Sequence, residues 1–475
     1  MMSRMRSDET WAARLRRVVY AAMLGLAAAA TQGASLAADG KRPNIVVLIT
    51  DDMGHADLGF NGNQDFPTPQ IDALAASGVR CANGYVSGLY CSPTRAGFLT
   101  GRYQQRFGHE WNPGGGPEVG LPTTETTIAD RLKAAGYATG LVGKWHQGGA
   151  PRFHPQKRGF DEFFGFLGGA HTYFAEQTEN IYRGTEVVKE KAYLTDAFAR
   201  EAVAFIDRHK GGASPFFLEV AFNAVHTPMD ATDERLSRFS SIADPTRRTY
   251  AAMLTALDEA VGAIVAKVRD AGLEDDTLIV YFNDNGGPTM LGTTLNGSRN
   301  APFRGSKRTA LEGGVHVPFV LSWKGRLPAN AVYKSPVIQL DLLPTALAAA
   351  GVAVKPEWKL DGVDLLPFLT GADARAPHDV LFWRMGEQAA VRKGDWKLVR
   401  YDAAIDSPGV RSNPGAVEVT PLRLYNLADD PGEAHDLAAQ QPGRVEELLA
   451  LWKGWDAQLA QPLWGPIGAP GAKGD

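Results

Sequence analysis

Cysteine is scarce in this chain of 475 residues, which has only Cys81 and Cys91. Two thiols allow one disulfide at most and leave no compact cysteine and histidine set for zinc. Positive charge is not in excess either. The formal net charge is -4, a sign that repels nucleic acid and offers no basic patch to a membrane. The longest apolar run, residues 18–30, is too short for a bilayer span. There is no internal repeat and no stretch that reads as a linker array.

What is present is ordinary for a globular protein: 44% hydrophobic and 21% charged residues, in a length that suits two or three domains. Arg14, Arg16 and Arg17 precede the run over 18–30, and small residues follow at Ser35 and Ala37. That order predicts a cleaved export signal ending near Ala37 or Ala38, with a start nearer Met5. Without residues 1–37 the charge becomes more negative. The expected location is periplasmic or secreted, with no stable membrane association.

Several strand-like runs end in polar chemistry. The branched apolar residues 44–50 lead into Asp51, Asp52, Met53 and Gly54. Two adjacent carboxylates at the carboxyl edge of a sheet repel each other, and a hard cation relieves that. Residues 278–282 repeat the arrangement and lead into Asn283, Asp284 and Asn285. A strand over 138–142 delivers Lys144 and His146, which alternation puts on one side. Another, over 215–221, leads to His226. Residues 91–102 read as the start of a helix, with Cys91 at its first turn and Pro93 just inside. Arg95 falls one turn on, where an oxyanion would meet both a cation and free N–H groups. Each of these has a plainer reading when taken alone: a solvated acidic loop, a buried cysteine or half of a disulfide, a structural histidine. His109 reads as a surface histidine.

Cys91, Pro93, Arg95, Thr100, Gly101 and Arg102 resemble the signature of the type I, formylglycine-dependent sulfatases of the alkaline-phosphatase superfamily. Thr94 stands where serine is usual. The pattern continues at Asp51, Asp52 and Gly54, at the Gly143 to His146 run, at His226 with Pro228, and at Asp284 with Asn285. It ends with Lys307 and the segment through Pro318, where His316 replaces the arginine of many relatives. Bacterial arylsulfatases and the arylsulfatase B-like branch are the nearest resemblance, which covers roughly residues 43–460.

The resemblance implies an α/β fold whose central, mostly parallel sheet is flanked by helices, followed by a small C-terminal antiparallel sheet and helix. It implies conversion of Cys91 to formylglycine, whose hydrate is the nucleophile. Asp51, Asp52, Cys91, Asp284 and Asn285 would bind Ca2+, with Mg2+ as the chemical alternative. Arg95, Lys144 and Lys307 would counter the anion, while His146 and His226 would carry protons. Implied partners are a sulfated carbohydrate or aryl sulfate ester and a formylglycine-generating or anaerobic sulfatase-maturing enzyme. A phosphate or phosphonate monoester hydrolase and an inactive exported binding protein stand as alternatives.

The expected divisions are a signal over 1–38, a catalytic domain over 39–374, a C-terminal subdomain over 375–462 and a tail over 463–475. Helical spacing predicts helices over 68–76, 124–135, 192–209, 248–270 and 442–459. Residues 461–475, rich in glycine and proline, read as a loose arm. Trp111, His171, Tyr173 and Trp383, on or near candidate specificity loops, are candidates for stacking on a substrate ring.

Overall fold

Strand β1, Asn44–Thr50, is buried along all seven residues. A strand that is apolar on both faces needs cover on both, which a parallel sheet with crossover helices supplies. In this computed structural model, which describes residues 41–466 except 115, 178, 179 and 408, β1 has a parallel neighbour on each side. The strands that follow are β2 Val79–Cys81, β3 Gly84–Tyr85, β4 Ala138–Lys144, β5 Glu162–Phe166, β6 Ile181–Arg183, β7 Glu186–Val188, β8 Phe216–Ala221 and β9 Thr277–Asn283. Then come β10 Phe319–Ser322, β11 Ala331–Tyr333 and β12 Val337–Ile338. Ten of these form one sheet in the order β11, β2, β10, β9, β1, β8, β4, β5, β6, β7, and β3 pairs with β12. Strands β9, β1, β8, β4 and β5 are parallel. Their carboxyl ends therefore share one edge, where open α/β sheets take their ligands.

The helices that position the site are α1 Pro69–Ala76, α2 Cys91–Thr100, α3 Ile128–Ala134, α4 Leu194–His209, α5 Pro245–Asp270 and α6 Leu342–Ala349. On one face of the sheet Val46, Leu48, Leu218 and Val220 share a core with α1, α4 and α5. Leu254, Leu257, Val261 and Ile264 of α5 are buried at the expected helical spacing. On the other face Phe98 of α2 meets Phe282 of β9, ring centroids 5.6 Å apart. Gly140 lets α4 approach β4: a Cβ there would lie 2.4 Å from the Phe205 ring.

The C-terminal part is an antiparallel meander of β13 Val380–Met385, β14 Gln388–Lys393, β15 Trp396–Arg400 and β16 Arg423–Asn426. Gly394, at φ 57°, makes the tight turn expected between β14 and β15. Helix α7, Pro442–Asp456, covers one face through Leu448 against Val391, Leu398 and Leu424. Trp383, Tyr401 and Tyr425 share a core with Tyr85 and Ile338 of the large part. Buried charge reinforces that seam. Lys397 Nζ donates to Glu312 Oε1 at 2.7 Å and lies 3.1 Å from Glu433 Oε1.

Some local expectations change. The helix expected over 124–135 begins only at Ile128, because Thr127 caps it by accepting from Asp130 N at 3.0 Å. Thr68 precedes α1 but does not cap it. Its hydroxyl donates to Asp72, while Asp258 accepts from Gln70 N and Ile71 N. Residues 461–466 are not a loose arm: Leu463 N donates to Gly108 O at 2.9 Å and the Trp464 indole docks on residues 111 and 112. An indole seeking cover outweighs the flanking glycine and proline. The expected export signal over 1–38 and residues 467–475 lie outside the described residues. Among the described residues no helix is long and apolar enough to cross a membrane.

Candidate active site

Because β1 and β9 are parallel and in register, the residues after them emerge side by side. Asp51, Asp52, Cys91 and His226 are buried and present ligand atoms that all lie within 4.8 Å of one another. Asp52 adopts a left-handed φ of 57°, which aspartate tolerates better than most residues. Asn285 joins from β9, its Nδ2 donating to Asp52 Oδ1 at 2.7 Å. Arg95 clasps Asp284 Oδ2 through Nε at 2.9 Å and Nη2 at 2.8 Å, and stands 3.8 Å from Asp51.

Lys144 Nζ donates to Asp51 Oδ2. Lys307 Nζ lies 2.8 Å from each oxygen of Asp52. Cys91 opens α2 with its Sγ 3.6 Å from Asp51 Oδ1. Both cysteines are free thiols, so the bridge to Cys81 is not formed.

Electrostatics sort these groups. Burial works against the charge on Asp51, but Lys144, followed by His226, Arg95 and Lys307, holds its carboxyl well below the usual range. Burial and then the neighbouring Asp51 push Asp284 up to about 7, against the pull of Arg95. Burial lowers Lys307, yet Asp52 and its neighbours hold it above the ordinary lysine value. Burial and Asp51 push the Cys91 thiol up to about 12, so at neutral pH it is no thiolate. Burial, then Lys144 and Arg95, drive His146 well below its ordinary value. His226 is lowered by burial against the opposing pull of Asp52. Its Nδ1 lies 2.6 Å from the Thr227 carbonyl, which can only accept. Nδ1 of the neutral ring therefore carries the hydrogen, and Nε2 turns a lone pair toward Asp52 Oδ2 at 3.5 Å.

The donor set fits a divalent cation. Asp284 Oδ1 and Asn285 Oδ1 are buried beside Asp51 and Asp52 with no hydrogen-bond partner, a costly state for such oxygens. Hard cations such as calcium take carboxylate and amide oxygens of this kind. Three carboxylates, Asp51, Asp52 and Asp284, face three cations, Arg95, Lys144 and Lys307. A dication added to that balance leaves positive charge to receive an anionic ester. Cys91 adjoins the same cluster, in keeping with a formylglycine formed from it beside a calcium-like ion.

The sulfatase family model matches residues 43–352. The chain belongs to the sulfatases. It is 34% identical over 463 residues to N-acetylgalactosamine-6-sulfatase of Canis lupus familiaris, covering 90% of this chain and 85% of that protein. It is 33% identical over 460 residues to arylsulfatase G of Rattus norvegicus, covering 86% and 85% respectively. Among solved structures it resembles Ps i-CgsB, with a TM-score of 0.81, 36% identity and coverage of 90% of this chain and 95% of that one. Ps i-CgsB is also solved in complex with k-i-k-neocarrahexaose, with a TM-score of 0.80 and 35% identity over the same shares of the two chains. Membership brings sulfuric-ester hydrolase activity.

In this sulfatase every residue expected at the site converges there, and Lys144, Arg95, Asp51 and His226 all stand close enough to act on the charge of His146. Its backbone leaves the extended path at φ 54°, so simple alternation from Lys144 does not set its direction. Other expectations are corrected. His109 is buried, with Nε2 2.7 Å from Ser92 Oγ, and burial pushes it down to about 3. Tyr173 and Trp383 are fully buried and cannot stack on a substrate. Their polar atoms bond instead to the carbonyls of Asn223, His226 and Val86. His316, where many relatives have arginine, takes a packing role: it is buried and stacks on Phe303, ring centroids 4.1 Å apart.

Two loop residues escaped the sequence reading. Thr294 Oγ1 donates to Asp52 Oδ2 at 2.9 Å, and Asn296 Nδ2 reaches the carbonyls of Asp52 and Val225 at 2.9 Å each. The only signal was the polar composition of residues 288–301, a loop that lies over the site.

Proposed function

We propose that this sulfatase hydrolyses sulfate esters of carbohydrates, with small aryl sulfates as surrogate substrates, and releases inorganic sulfate. The observation that carries the reading is the buried Asp51, Asp52, Cys91 and His226 cluster, with Lys144 and Lys307 bonded to its carboxylates. The carbohydrate assignment draws on the similarity to N-acetylgalactosamine-6-sulfatase and to Ps i-CgsB, which is known bound to a neocarrahexaose. Asp51, Asp52, Cys91, Asp284 and Asn285 would hold Ca2+, and Mg2+ would satisfy the same oxygens. The metal supplies charge neutralisation, and formylglycine at position 91 supplies a hydrated aldehyde as oxygen nucleophile.

The chain's own residues do the rest. Arg95 orients Asp284 and keeps a guanidinium beside position 91. Lys144 and Lys307 face the sulfuryl oxygens and offset charge as it develops. Lys307, held charged, delivers a proton to the leaving oxygen with His226 beside it. His146 would serve as the base at position 91. Export and a formylglycine-generating or anaerobic maturing enzyme complete the reading, since a buried neutral thiol is no substitute nucleophile.

The test is paired hydrolysis of nitrophenyl sulfate and nitrophenyl phosphate, followed by a panel of glycans with defined sulfate positions. Sulfate release from at least one glycan is expected. Preference for the phosphate ester would overturn the reaction class, and activity confined to aryl sulfates would overturn the carbohydrate assignment.

A further inference from the structure

Ser92, the residue after Cys91, connects the reaction centre to the end of the described chain. Its Oγ lies 2.6 Å from the His146 carbonyl and 2.7 Å from His109 Nε2. A carbonyl only accepts, so the hydroxyl hydrogen points to His146. His109 Nε2 must then carry a hydrogen and donate to Ser92 Oγ. Gly169 packs against the imidazole of His146, where an added Cβ would lie 2.5 Å from Nε2, and the backbone N–H of His146 donates to Leu167 O at 3.1 Å. The Nδ1 of His146 is buried without a hydrogen-bond partner, and the backbone holds a left-handed conformation disfavoured for side chains like this one. The direction of the ring therefore depends on that packing and on the bonds that pin the backbone, and Ser92 supplies one of them.

His109 is held from outside by the C-terminal segment. The Trp464 ring meets it edge-on, centroids 4.8 Å apart. Trp464 Nε1 lies 3.1 Å from the carbonyls of Trp111 and Asn112, and Asn112 Oδ1 accepts from Ser92 N at 3.2 Å. Two bonds thus run from the loop under Trp464 to Ser92.

We propose that the segment around Trp464 is a clamp on the reaction centre, with Trp464 and His109 acting as positioning residues for His146 through Ser92. The inference rests on the proton-handling role given to His146 above. Neither residue touches the substrate, and neither titrates in this role.

The test uses the full chain produced with its maturing enzyme, with conversion of Cys91 quantified by peptide mass spectrometry and turnover normalised to it. For His109→Ala and Trp464→Ala, kcat should fall by about tenfold or more with KM little changed, as expected when a catalytic group is misplaced. His109→Gln, whose amide can donate in place of Nε2, should stay within roughly threefold of wild type. Hydrogen exchange in the peptide over 143–150 should accelerate in the two alanine variants and not in His109→Gln, at matched thermal stability. Wild-type kcat and exchange in both alanine variants would overturn the clamp. If His109→Ala does not fold, Trp464→Ala decides alone. His146→Ala separates the two layers: full turnover there would sink the role of His146 itself. Lost turnover in His146→Ala beside unaffected Trp464→Ala would sink only the clamp.

Discussion

Thr50 Oγ1 donates to Asn283 Oδ1 at 2.9 Å, joining register partners at the ends of adjacent parallel strands. Asn283 also bonds both backbone groups of Met53, through Nδ2 to the carbonyl at 2.9 Å and through Oδ1 from N–H at 3.3 Å. One side chain thereby fixes how the loop after β1 lies against the loop after β9. With the backbone bond from Asp284 N to Thr50 O at 3.0 Å, that bond set holds the oxygens of Asp51 and Asp52 toward those of Asp284 and Asn285.

Asn283→Ala should cost about 2 to 3 kcal/mol, since it leaves buried groups of Met53 and Thr50 without partners. Urea unfolding measures this. Calcium affinity, read by titration calorimetry on the same variant, should weaken as well. An unchanged affinity would mean that the loops hold their shape without Asn283.

Glu219, in the middle of β8, is buried, and burial pushes its carboxyl up to about 8, with Arg95 pulling the other way. Its folded value lies above its unfolded one, so between them the folded chain binds the extra proton. Stability is therefore lost as pH rises from about 4.5 to about 8. Glu219→Gln should flatten this part of the stability profile and add on the order of 3 kcal/mol at pH 7. Denaturant titrations at pH 5, 7 and 8.5 would reveal an unchanged slope if another group carries the loss.

Lys307→Ala removes a buried cation from both oxygens of Asp52. A loss of roughly 100- to 1,000-fold in kcat is expected, the scale seen when one charge-stabilising donor is deleted. Cys91→Ser should lose at least as much, because serine there lacks the aldehyde. Nitrophenyl sulfate turnover measures both, and wild-type rates in Cys91→Ser would remove position 91 from the chemistry.

Lys397→Met leaves Glu312 and Glu433 buried without their shared cation. The cost should be about 3 to 5 kcal/mol, as for other broken buried pairs. Adding Glu312→Gln should recover part of it. Additive losses in the double variant would show that the two residues do not act together.

The metal-facing acids were legible because a strand followed by two oxygen-bearing side chains is local information, and β1 and β9 each carry it. Cys91 and Arg95 were legible for a similar reason, since helical spacing alone puts them on one face. His109 was not. Its burial depends on Trp464, more than 350 positions away, and on an aromatic closing over it from a segment whose glycine and proline suggest freedom. Tyr173 and Trp383 were misread because an aromatic near a variable loop looks the same in sequence whether it faces solvent or core. Thr294 and Asn296 sit in a polar loop without periodicity, so nothing local marks which hydroxyl or amide turns inward. His146 shows the limit of alternation, as one residue with positive φ redirects the chain where it leaves β4.

Every residue of α2, from Cys91 to Thr100, is buried. Once the sheet and its cover have closed, no second protein can reach the thiol at the head of that helix. A modifying enzyme of the kind proposed would therefore have to meet the newly made chain before it collapses, and the yield of active molecules would become a race between two rates. Slower folding would raise the converted fraction, and a destabilised variant could emerge better modified than its parent.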